Sequence, residues 1–186
     1  IGTFTDDTQM TLFTCEGLLR AHCSVRHRGI KPEYVSMVYR SYLRWLITQK
    51  DNGTKKPSGG IEDGWLIKIP ELHHRRAPGT TCLSALQSGL MGSVEKPING
   101  SKGCGGIMRA APVGIYGALA PEYLGTEVGT SEAVFDLGCR IAAITHGHPS
   151  GYLPAGFFAV IIFEILSGMK LEDAISRSLP VLQTMP

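Results

Sequence analysis

Strand-like alternation is missing from this chain. None of its 186 residues falls in a stretch that switches apolar and polar side chains with a period of two, and no segment repeats, so neither a sheet nor a solenoid is expected. Charge of one sign is missing too: 18 Lys and Arg against 16 Asp and Glu leave a net charge of +2, without the basic excess that nucleic-acid binding needs. The five cysteines are odd in number and contain no CxxC pair, which suits free thiols in a reducing, cytoplasmic setting better than a disulfide framework. The most apolar run, Ala155 to Phe163, meets Glu164 and falls well short of the roughly 20 residues of a membrane span, so a core helix and no membrane partner are expected. No signal peptide is visible. The first residue is Ile1 rather than methionine, and an N-terminal truncation is the expectation that follows.

What the chain does have is helical periodicity. Met10, Phe13, Gly17, Leu18 and Ala21 recur at spacings of three and four, with Leu12, Cys15 and Leu19 widening the stripe into a deeply buried helix. Tyr34, Val35, Val38, Tyr39, Tyr42, Leu43 and Leu46 mark a second helix with Pro32 in its first turn. Thr48 to Gly64, rich in glycine and lysine, reads as a long exposed loop. Thr81, Leu83, Leu86 and Leu90 mark a third helix, and Ile107 to Ala118 a fourth, broken near Pro112. Val134, Leu137, Gly138, Ile141 and Ala142 form a fifth, capped at Thr130 or Ser131; a sixth runs from Ser150 to Ser167, and a seventh from Leu171 to Leu182, ended by Pro180. With 43% hydrophobic residues the expectation is one all-α domain over residues 1–186.

The most telling residues stand at the start. Thr5, Asp6 and Asp7 immediately precede the first apolar stripe. One reading is a helix cap, with two carboxylates favoured by the positive end of the helix dipole. The other is a set of hard oxygen ligands for a divalent cation, completed by oxygens from elsewhere. Three loops add chemistry that helix packing does not require. Arg75 to Thr81 places Gly79 before a helix N-terminus, where unpaired N–H groups bind anions. Ser101-Lys102-Gly103-Cys104-Gly105-Gly106 precedes another helix; its glycines allow positive φ and close approach to a ligand, and Lys102 and Arg109 are either phosphate partners or solvated charges. It is neither a Walker A loop nor a GxGxxG turn after a strand. In Thr145-His146-Gly147-His148 a histidine either holds the turn or contacts a ligand, since no further zinc ligands are suggested by spacing.

Taken in order, TDDTQM opening a helix, APGTTCLSAL, SKGCGGIMRAAPVG and ITHGHPSGYLPAG resemble the ADP-ribosylglycohydrolase family from Thr3 to about Gly168. The resemblance implies a compact all-α multi-helix bundle with a binuclear Mg²⁺ or Mn²⁺ centre in an ADP-ribose cleft. It implies that Thr5, Asp6 and Asp7 are metal ligands, with Asp6 and Asp7 serving catalysis. Gly79, Ser101, Lys102, Gly103, Cys104, Gly105, Gly106 and His146 are implied to bind substrate, which is ADP-ribose or an ADP-ribosylated protein. Cys104 departs from the asparagine that many members carry in this loop. A glycine-rich first helix with a glutamate before the TDDT segment, and a later Asp-x-Asp-Thr motif supplying the second set of ligands, are part of the family pattern and are not in these residues. The resemblance therefore implies an internal fragment, lacking N- and C-terminal parts and impaired on its own, of an enzyme that cleaves the glycosidic bond between ADP-ribose and a side chain or small adduct. The alternative is an inactive relative that binds ADP-ribose or blocks a partner.

Overall fold

Asp6 opens the longest helix, and the apolar stripe read from the sequence decides how it lies. The structure is a computed structural model that describes residues 4–28, 33–49, 63–119 and 129–183. Among the described residues there are seven α-helices and no strand: α1 (Asp6–Arg28), α2 (Tyr34–Thr48), α3 (Thr80–Gln87), α4 (Ala111–Leu119), α5 (Ser131–Ala143), α6 (Pro149–Leu166) and α7 (Leu171–Gln183). Short 3-10 turns lie at Leu66–Lys68, Pro70–Leu72 and Ile107–Arg109. The all-α expectation holds.

Met10, Phe13, Leu18 and Ala21 of α1 are buried, and α1 packs on α2 and α4. The stripe is narrower than expected: Leu12 and Leu19 are 38% and 49% exposed, and Leu19 lines an apolar groove with Ile115 and Leu119 of α4. The apolar helix α6 runs for 18 residues with a mean hydropathy of 1.5, a length and composition that would also suit a membrane crossing. In the fold it packs against α4, α5 and α7 and carries the buried Glu164, as a core helix does. Contact between α5 and α6 requires glycine. A Cβ on Gly138 would stand 2.9 Å from Gly156 Cα, and one on Gly156 would stand 2.7 Å from the Phe135 carbonyl oxygen.

Several boundaries differ from those the sequence suggests. α3 stops at Gln87 and Gly89 adopts a φ of +73°, so Leu90 lies beyond the helix and is exposed. α7 continues through Pro180 to Gln183; the proline cannot donate to the carbonyl of Ser176, an exposed residue. The break near Pro112 is real, a 3-10 turn giving way to α4 with Pro112 in its first turn. Thr130 caps α5, accepting from Ala133 N at 3.2 Å. Pro32 and most of the expected Thr48 to Gly64 loop lie outside the described residues; its ends, Thr48, Gln49 and Gly64, are buried rather than exposed.

Polar side chains of α1 anchor the structure from inside. Glu16, fully buried, pairs with Arg44 at 2.8 Å and accepts from the backbone N–H groups of Trp65 (2.9 Å) and Leu66 (3.3 Å). Arg44 in turn donates to Ser41 Oγ at 2.7 Å. Gln9 donates to the Leu72 and His74 carbonyls and accepts from Trp45 Nε1 and Gln49 Nε2, each at 3.0 Å. The chain after α2 is thus pinned along α1 and delivered to the start of α3. Arg44 also meets the Asp63 carboxylate at 3.6 Å, which keeps part of its charge compensated, so Glu16→Gln is expected to lower the unfolding free energy by about 2 kcal/mol in urea titration, less than for a buried pair with no second partner.

Candidate active site

The N-terminus of α1, the loop before α3, the glycine loop before α4 and the α5–α6 turn meet at a cleft of about 390 Å³. Thr5, Asp6 and Asp7 form one wall; Gly103, Cys104 and Gly105 form another, with His146 and Gly79 between.

Asp6 and Asp7 are neighbours with different surroundings. Asp6 is buried, its N–H donates to the Arg76 carbonyl at 3.1 Å, and its Oδ2 accepts from Gly79 N at 3.3 Å. The anion held at the start of α3 is therefore a carboxylate of the protein itself. Burial raises the Asp6 pKa above the ordinary carboxylate value; the Gly79 N–H opposes that rise and the charge of Asp7 adds to it. Asp7 is exposed to the cleft and accepts from the Thr5 hydroxyl at 3.2 Å. Thr5 thus points its hydroxyl at a carboxylate as well as giving its carbonyl to Gln9 N. Helix start and ligand-like cluster coexist in the same three residues. Thr11 reaches from α1 to the Met108 carbonyl at 3.0 Å and ties the carboxylate wall to the glycine loop.

The glycine loop works by close approach and not by unusual backbone angles. Gly103, Gly105 and Gly106 are absent from the described glycines with positive φ, which are Gly89 and Gly168. A Cβ on Gly105 would lie 2.7 Å from His146 Cε1, and one on Gly106 would lie 2.5 Å from the Gly151 carbonyl oxygen. Gly79, likewise, has an ordinary φ of −60° and open space around its Cα; the left-handed residue in that loop is Ala77, with a φ of 52°. No sequence rule points to an alanine there.

Of the substrate-binding residues expected from sequence, Gly79, Gly103, Cys104, Gly105 and His146 line the cleft; Ser101, Lys102 and Gly106 do not. Ser101 shares a hydrogen bond with Thr81 (3.2 Å) and accepts from Gly103 N (3.3 Å), so it shapes the loop from behind. Lys102 is exposed to solvent, and Gly106 is buried in packing. Arg109 is neither a phosphate partner at the cleft nor a solvated charge: it is completely buried, its guanidinium 4.5 Å over the Tyr42 ring and hydrogen-bonded to the Ala142 carbonyl and the Thr145 hydroxyl. Ala77, Thr80, Thr81, Cys82 and Met108 also line the cleft and were not singled out by sequence. Thr80 and Thr81 follow Gly79 in the first turn of α3, and their hydroxyls were the available signal.

His146 is 1% exposed, with Nδ1 2.8 Å from the Thr145 hydroxyl oxygen. Burial, reinforced by the Arg109 charge, holds its pKa down at about 4, so the ring is neutral at physiological pH. His148 does the work of a turn: its Nδ1 caps α6 by accepting from Ser150 N at 3.0 Å.

The chain matches the ADP-ribosylglycohydrolase family model over residues 1–185. It belongs to the ADP-ribosylglycohydrolase family. No curated protein and no solved structure matches it. The family is generally metal-dependent, and the donor set fits one wall of such a site. Two adjacent carboxylates and a hydroxyl are hard oxygen donors, and among the described residues neither carboxylate has a cationic partner. The fit is partial, because no group of three or more His, Cys, Asp or Glu side chains gathers as a metal site among the described residues.

The depressed His146 pKa has a consequence for stability. As pH falls through the ordinary value of 6.5, the unfolded chain takes up a proton that the folded ring refuses until about pH 4. Stability present at neutral pH is therefore lost progressively across that window. In urea unfolding at a series of pH values, His146→Asn is expected to show a shallower decline than the unaltered protein over the same range.

Proposed function

We propose that this protein hydrolyses the glycosidic bond joining ADP-ribose to a modified protein side chain or a small ADP-ribosyl adduct, using Mg²⁺ or Mn²⁺ held in part by Thr5, Asp6 and Asp7. The observation that carries the reading is the opposition, across one cleft, of the unneutralised Asp6 and Asp7 carboxylates and the Gly103–Gly105 loop. Each wall suits one part of such a substrate. Glycine-flanked backbone lets N–H groups approach a diphosphate, and the start of α3 beside it carries a partial positive charge. Carboxylates favour the positive charge that develops at the anomeric carbon as the glycosidic bond breaks through an oxocarbenium-like state.

A bound divalent ion supplies charge stabilisation and a template for the ribose hydroxyls. The chain's own residues do the rest. Asp6, held by Gly79 N and raised in pKa by burial, is a carboxylate whose ionised form a cation would favour. Asp7, open to the cleft and bonded to Thr5, is placed to orient a water or a ribose hydroxyl. Gly105 leaves room for the neutral imidazole of His146 to sit directly behind the loop backbone. The two adjacent carboxylates act together as ligands rather than as an acid and nucleophile pair, since coordination requires both ionised.

Full-length protein with Mg²⁺ or Mn²⁺ is expected to release ADP-ribose from at least one of an arginine-linked, a serine-linked or an acetyl-ester substrate, assayed by chromatography. Asp6→Asn and Asp7→Asn should each reduce that release by about a hundredfold or more, in line with loss of electrostatic stabilisation at a reacting centre. No release from any of the three linkages would falsify the hydrolase assignment; retained calorimetric binding of ADP-ribose would then identify a non-catalytic binder.

A further inference from the structure

Arg109 is an expensive residue to place where it stands. Its side chain is fully buried, it forms no ion pair among the described residues, and its Nε has no hydrogen-bond partner. A guanidinium buried without an anion costs stability that an apolar side chain of similar size would not. Its contacts are the Tyr42 ring at 4.5 Å, the Met10 sulfur at 3.6 Å, the Ala142 carbonyl at 3.3 Å and the Thr145 hydroxyl. The last of these leads directly to the cleft.

The hydrogen-bond chain has a favoured direction. Arg109 carries only donors, so Thr145 Oγ1 accepts from it. The single proton of Thr145 is then free to go to His146 Nδ1, 2.8 Å away. The Cys82 thiol also meets the Thr145 hydroxyl, but burial keeps the thiol protonated and sulfur is the weaker acceptor. With Nδ1 accepting, the ring proton belongs on Nε2. His146 lines the cleft, and its Nε2 is turned to the glycine loop, 2.9 Å from where a Cβ on Gly105 would stand and 3.5 Å from where one on Gly103 would stand, so no side chain of either residue screens it.

We propose that Arg109 and Thr145 are positioning residues that fix the tautomer of His146, so that its Nε2–H faces the Gly103–Gly105 loop as a neutral donor for an oxygen of the bound ribose-phosphate. The identity of that oxygen rests on the ADP-ribose reading of the cleft; the tautomer does not. The buried charge of Arg109 serves a second purpose, since it disfavours a proton on Nδ1 and keeps the ring a donor without a charge of its own. The charged and titratable groups nearest the ring include Arg109 and Cys82; Asp6, Asp7 and Cys104 line the same cleft, and among the described residues no carboxylate hydrogen-bonds to the ring. A neutral N–H binds a phosphate or hydroxyl oxygen without drawing Asp6 or Asp7 away from a cation.

Long-range ¹H–¹⁵N NMR spectra of histidine-labelled full-length protein, recorded without substrate, test the relay. The expected wild-type spectrum has Nδ1 unprotonated and Nε2 protonated. Thr145→Val should mix the tautomers and lower ADP-ribose release by about tenfold, the scale of losing a residue that orients a functional histidine; Thr145→Ser should restore both. Arg109→Met frees the Thr145 hydroxyl to accept from Nδ1 and should shift the population toward the Nδ1–H form without lowering the melting temperature. If Thr145→Val does not fold, the Arg109→Met spectrum decides. A wild-type Nδ1–H tautomer, or variant spectra identical to wild type, overturns the relay. A wild-type Nε2–H tautomer with no ADP-ribose release upholds the relay and overturns the hydrolase reading.

Discussion

The side-chain amide of Asn99 holds together the two loops on which the cleft depends. Its Nδ2 donates to the Thr145 carbonyl at 2.8 Å, and its Oδ1 accepts from Ser101 N and Gly147 N at 3.0 and 3.2 Å. One residue thereby satisfies backbone groups from segments 46 residues apart in the chain. The contact is close enough to exclude side chains at the points of approach: a Cβ on Gly147 would meet the Asn99 carbonyl oxygen at 2.2 Å, and one on Gly151 would meet that of Ser101 at 2.6 Å. With the loops locked this way, His146 lies behind the glycine backbone and Thr145 lies within reach of Arg109. The site's electrostatics follow from that closure.

The opposite wall is set by the burial of α1. Gln9, Thr14 and Glu16 are fully buried polar residues on a helix whose inward face also carries the apolar Met10, Phe13, Leu18 and Ala21. Each is satisfied by a specific partner: Gln9 by Trp45 and the His74 carbonyl, Thr14 by the Tyr42 hydroxyl at 2.7 Å, Glu16 by Arg44. Such bonds define the rotation and axial position of α1 more sharply than an apolar stripe does, because a displaced hydrogen bond leaves a buried polar group unpaired. Asp6 and Asp7 inherit that placement. One carboxylate is turned in to Gly79 and the other out to the cleft, a division that adjacent identical residues cannot signal in the sequence.

Much of the helical framework was legible because helix signals are local. Apolar spacing, the Thr130 cap and the Pro112 break all act within a few residues, and each marked an element that the structure contains. Where the reading failed, a longer-range condition intervened. Leu12 and Leu19 fit the stripe but are exposed, Leu19 in the α1–α4 groove. Pro180 looked like a stop, yet α7 runs through it on an exposed stretch of the helix. The glycines of the 103–106 loop were read as allowing close approach to a ligand; the approach the structure contains is to His146 and the Gly151 carbonyl, and the positive φ they permit is not used.

The sequence by itself determined the helical class, the order of the four motifs and the family they indicate, and the residue types available for chemistry. These are properties of short segments and their succession. Tertiary structure alone decided that Asp6 binds the start of α3, that Ala77 takes the strained backbone position, that Ser101 and Lys102 stand away from the cleft, and that Arg109 is buried beneath His146. Those outcomes depend on partners 73, 36 or more residues distant, such as Gly79 for Asp6 and Thr145 for Arg109. Whether a charge is solvated or enclosed is settled by what packs over it, and no local pattern carries that information.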